Sequence, residues 1–167
     1  MSSRRGGAQS ALTATDVSGL LYGAVVSGAT LAVVGAHATA ATRVVVATLL
    51  VLSVYWLTHV YVHVVAHQLA GGDTRALHLR LTTSFGEEAS ILVGGLPAIA
   101  VYVVAVVLGA DKTTAGYVAL TSLIVLLFGV GLLGARRAGL RGGAAILEAS
   151  AAGIFGVLIV VLKAVLH

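Results

Sequence analysis

The chain has 167 residues, 59% of them hydrophobic and only 10% charged, with a formal net charge of +4 and no cysteine. A mean hydropathy of +1.06 excludes an ordinary soluble domain and places the chain among integral membrane proteins. The missing cysteines remove disulfides, thiolate metal sites and cysteine nucleophiles together. The pI near 9.9 reflects basic residues in loops and implies no nucleic-acid partner.

In lipid only a helix or a closed barrel satisfies its own backbone, and a helix needs about 20 apolar residues to cross. Five runs meet that length, at 17–38, 44–69, 88–109, 115–134 and 143–166, and their continuous apolarity, without alternation, excludes a barrel. The expectation is an all-α, multi-pass protein of the cell membrane. A tail at 1–16 precedes one five-helix transmembrane domain at 17–167, whose long connector is 70–87. The connectors 39–43, 110–114 and 135–142 are short, so consecutive helices are expected as antiparallel neighbours.

Basic residues in short loops are held on the cytoplasmic side during insertion. Arg4, Arg5, Arg75, Arg80, Arg136, Arg137 and Arg141 fall on one side, and Arg43, Lys112 and Lys163 on the other. This predicts the N-terminus inside, the C-terminus outside, and the tail and the 70–87 connector in the cytoplasm. The Arg4-Arg5 pair before an apolar run also suits a signal peptide, but that run is too long for an ordinary signal core.

Helix 1 opens on Asp16 and carries Gly19, Gly23 and Ser27 at four-residue spacing, a ladder of small residues that lets helices approach closely in lipid. Helix 5 repeats the device with Ala145, Ala149 and Gly153. Such ladders serve packing within one protomer or between copies, so a homo-oligomer, a dimer first, is expected beside the lipid bilayer as a partner. The stretches 35–41 and 109–115 share Gly, Ala, Thr and Ala at matching offsets, which fits a parallel duplication of helices 1–2 and 3–4.

Helix 2 holds the chain's most informative segment, where Tyr55, Trp56, His59, Tyr61, His63 and His67 interrupt an Ala/Val/Leu background. Ionisable groups inside a membrane are expensive and mark function by default. Four-residue spacing fans the three histidines over about 80° of one face. At a rise of about 1.5 Å per residue, His67 lies at the interface, His63 about 9 Å in and His59 about 15 Å in. His67, Tyr61 and Trp56 also suit the aromatic and polar belt at the interface.

Helix 3 begins at Glu87 and Glu88, first-turn acids that the helix dipole favours. It carries Gly94, Gly95 and Pro97 near its middle. The proline lacks an N–H and frees a carbonyl one turn earlier, so a kink is expected around these three residues. Glu148 on helix 5 lies about 10 Å from the cytoplasmic end. A buried carboxylate without a partner takes a proton sooner than it stays charged, and a Glu148–His63 pair is therefore a natural proton relay.

Imidazole and carboxylate together suit borderline divalent ions such as iron or zinc, and histidines at i and i+4 can share one metal. The candidate ligands are His59, His63, His67, Glu88, Glu148 and Asp16. The reading is a divalent-metal or proton-coupled transporter with its His/Glu site in the cytoplasmic half. The alternative is a structural or accessory membrane subunit with no transport of its own. A haem-binding subunit usually takes axial histidines from facing helices, whereas the deep histidines here share one helix. No nucleophile motif, phosphate loop or substrate-binding domain supports an enzyme.

Asp16-Val-Ser-Gly19 through Gly28, and Arg136-Arg-Ala-Gly-Leu-Arg141 into the stretch from Gly142 to Gly156, sit in an order of elements that resembles the vacuolar iron transporter family. The resemblance implies five helices, a dimer with a pathway between subunits, and export of ferrous iron or a similar ion from the cytosol in exchange for protons. Under it Asp16 corresponds to the acidic residue of the family's first helix. The family's methionine and Glu-Tyr elements of helix 2 are absent, with His59 to His67 in their place, and its Glu-rich cytoplasmic helices shrink to the 70–87 connector.

Overall fold

The computed structural model describes residues 14–69, 84–86 and 88–166, without the side chains of residues 14–16, 67 and 69. Five long helices make up the fold: α1 (Ala14–His37), α2 (Ala41–Leu69), α3 (Ala89–Val107), α4 (Lys112–Arg137) and α5 (Gly143–Leu166). Each contains a stretch long and apolar enough to cross a membrane. No strand occurs among the described residues. The chain is a membrane protein of the five-helix, all-α class.

Local chemistry sets the helix ends, and it moves them from where hydropathy alone puts them. α4 starts three residues before the apolar run because Asp111 caps it: its carboxylate accepts the N–H groups of Thr113 at 2.9 Å and Thr114 at 3.0 Å, and the Thr114 hydroxyl at 2.6 Å. The same helix runs on to Arg136 and Arg137 in its last turn, where their charge complements the exposed carbonyls. α3 and α4 both stop by wrapping their last turn around a left-handed glycine. At Gly109 (φ 96°) the Ala110 N–H returns to the Ala105 carbonyl, and at Gly139 (φ 85°) the Leu140 N–H returns to that of Ala135, each at 3.0 Å. Within the 70–87 connector, residues 84–86 are helical too.

α1 is the hub, packed against all four other helices, and the most extensive pairings are α4 with α5 and α1 with α3. α2 lies at the edge, against α1 and α3. Apolar burial alone does not drive helices together in lipid, where tails are as apolar as leucine, so close packing at small residues carries the association. A Cβ added at Gly23 would overlap the Ile91 carbonyl oxygen, and one at Gly94 would overlap that of Leu20. The ladder of helix 1 is thus a seam within the protomer, between α1 and α3.

The second ladder works in the same way. Ala145, Ala149 and Gly153 are buried, and across from them a Cβ at Gly131 would sit 2.8 Å from that of Ala152. Between the two seams Leu31, Leu120, Leu123, Leu127 and Tyr102 fill the interior. α3 continues through Pro97, whose ring faces outward. Gly94 and Gly95 are contact points: Gly94 meets the α1 backbone, and Gly95 makes room for the Ser27 hydroxyl and the Leu52 side chain.

Candidate functional site

The stripe on α2 turns toward the start of α3. Glu88 is the residue before that helix, and its N–H donates to the Ser84 carbonyl at 3.0 Å. Its carboxylate does not cap its own helix. It reaches across to α2, where His59 Nε2 stands 3.4 Å from Oε2 and His63 Nδ1 stands 3.2 Å from Oε1. One helical turn separates the two imidazoles, which is what places both beside a single carboxylate.

Burial grades across the cluster. The Glu88 side chain is 3% exposed, while those of His59 and His63 are 37% and 30% exposed. The carboxylate forms the floor of a notch and the imidazoles its rim. Tyr22 of α1 and Tyr55 of α2 hold the His59 ring from two sides, each with ring centroids 6.1 Å away. Below, Trp56 packs on Phe85 at 5.2 Å, just before Glu88 in the chain. Aromatic walls lower the local dielectric, and this strengthens the ionic contacts they enclose.

With both imidazoles neutral, the nitrogens facing Glu88 carry the hydrogens and the cluster holds one negative charge. The tautomers then differ, Nε2–H on His59 and Nδ1–H on His63. A proton added to either ring makes the cluster neutral. A buried carboxylate bracketed by two half-exposed imidazoles can share a proton with either ring.

Metal ligation asks for a different arrangement, in which donors converge on one point from several sides. Here the imidazoles flank opposite oxygens of one carboxylate. Among the described residues no three His, Asp or Glu side chains group as a metal-holding set. The side chains of His67 and Asp16, also expected as ligands, lie outside the described residues. Glu148 stands elsewhere: it is exposed in a groove formed by α1, α4 and α5, and the structure pairs His63 with Glu88.

Nothing matches this chain among family models, curated proteins or solved structures.

One buried charge escapes sequence reasoning. Lys163 is fully buried on α5, its Nζ has no hydrogen-bond partner, and the Tyr117 ring lies 5.3 Å away. Gly35 and Gly116 make its niche, since a Cβ on either would come within 3.4 Å of Nζ. By sequence the residue marks only the outer side of the membrane, because lysines near helix ends ordinarily reach for the interface. Gly35 near the end of α1 and Gly116 near the start of α4 are the small residues that leave it room.

Proposed function

We propose that this protein is a proton-coupled carrier of the cell membrane and that the cluster of His59 and His63 on Glu88 is its proton-exchanging site. The bracketed carboxylate carries the reading: an ionisable cluster inside a membrane helix bundle is costly, and its cost is accounted for when the charge is used. The distribution of basic residues puts the notch toward the cytoplasm. In this arrangement His59 and His63 load and unload the proton, Glu88 stabilises the charged imidazole, and Tyr22 and Tyr55 keep the His59 ring in register. Iron and zinc are candidate cargo in this scheme and not resident cofactors.

The test is discharge of a pH gradient in proteoliposomes carrying a pH-sensitive dye, with ferrous iron, zinc and organic cations offered in turn. Wild type is expected to discharge the gradient with at least one of them, and Glu88→Gln to lose at least tenfold in rate. A wild type that discharges with none, or a Glu88→Gln variant as fast as wild type, refutes the reading.

A further inference from the structure

Glu148 projects into a groove of about 500 Å³ whose walls come from α1, α4 and α5. The carboxylate is exposed, and among the described residues it has no ion pair or hydrogen bond. It lies five residues into α5, about 8 Å along the axis, and Phe155 lies about 10 Å deeper on the same helix. Tyr22, 51% exposed, and Phe155, 58% exposed, are the aromatic walls. Leu127 lines the deeper part, and the small side chains at Gly131 and Ala152 leave the groove its width.

The lining specifies an occupant. Among the described residues the lining holds one carboxylate and no second acidic, histidine or amide donor, short of the four or more ligands that a divalent ion takes. A single negative charge at one end of an apolar, aromatic trough complements one positive charge on a bulky apolar body, and ring faces attract such a cation further. The volume falls in the range of sites for drug-sized molecules. A second copy docked symmetrically over the groove sets one Glu148 toward the other, like charge against like.

We propose that the Glu148 groove is a binding site for lipophilic organic monocations. The transport role of that site rests on the proton-carrier reading above and deepens it by naming the class of cargo; binding itself does not depend on it. Tyr22 joins the two sites, since it lines the groove and its ring is 6.1 Å from that of His59. A cation seated against Tyr22 therefore presses on the ring that holds the proton-exchanging cluster.

The experiment is binding of tetraphenylphosphonium to the purified protein in detergent, by calorimetry, with sedimentation run in parallel. Saturable one-to-one binding is expected, weakened at least tenfold by Glu148→Gln and unchanged by Ser53→Ala on the outer face of α2. The uncharged triphenylphosphine oxide is expected to bind at least tenfold more weakly. Equal binding by Glu148→Gln, equal binding of the neutral analogue, or no saturable binding overturns the proposal. So does a dimer that Glu148→Gln dissociates and that binds no cation, which assigns the groove to a second copy. Cation binding without proton-linked flux sinks the carrier reading and leaves the site standing; flux without cation binding does the reverse.

Discussion

Gly23→Ala tests the α1–α3 seam, because the added Cβ meets the Ile91 backbone. A flexible side chain could yield, but a carbonyl inside a helix cannot, so the two helices must separate. Overpacking of this kind costs about 2–3 kcal/mol, while alanine in place of glycine returns about 1 kcal/mol of helix propensity. The net expectation is a loss of about 1–2 kcal/mol, a factor of about 5 to 30 in the folded-to-unfolded ratio. Gly129→Ala is the internal control: it lies within α4 with nothing near its added Cβ, so only the propensity gain of about 1 kcal/mol applies. Reversible unfolding in mixed micelles measures both. The argument fails if Gly23→Ala is as stable as wild type, or if Gly129→Ala is destabilised to the same degree.

A double-mutant cycle on His63→Ala and Glu88→Gln is expected to give a coupling energy of about 1 kcal/mol, near the low end for residues in contact because the imidazole is partly exposed; coupling within error of zero refutes the bracket. Lys163→Met replaces a buried, unpartnered ammonium with an apolar side chain of similar shape, and the thermal midpoint is expected to rise. A fall in midpoint would show the charge to be structural. At Asp111 the Thr114 hydroxyl, with the Thr114 and Thr113 N–H groups, holds the carboxyl below the usual carboxylate range. The cap is thus at full strength above the unfolded value of about 3.9 and is lost as pH falls through the lower folded value. The protection factors of the Thr113 and Thr114 amides, corrected for the intrinsic pH dependence of exchange, follow this loss between about pH 5 and 2, and Asp111→Asn is expected to abolish the change in protection.

The five helices are legible in the sequence because a run of apolar residues long enough to cross a bilayer has few other fates. Their ends are less so. Asp111 lengthens α4 at one end, and the arginine pair lengthens it at the other, through capping and dipole effects that hydropathy does not register. The histidine stripe follows from spacing, but its partner does not: Glu88 and Glu148 are equally plausible until the order of helices around α1 is known. α2 packs beside α3, and α5 packs with α4 and α1, so the choice falls to Glu88. Lys163 stays hidden because a lysine in the last turn of a helix carries no mark of its burial.

The placement of α2 at the edge of the bundle gives its histidines a mechanical meaning. This helix is held chiefly by α1 and α3, and the Glu88 contacts are its ionic ties to the start of α3 among the described residues. Two imidazoles share one carboxylate there, so removing that carboxylate releases both contacts at once. The most lightly held helix is therefore pinned to its neighbour through a single side chain, which makes the α2–α3 boundary the natural hinge line of the bundle.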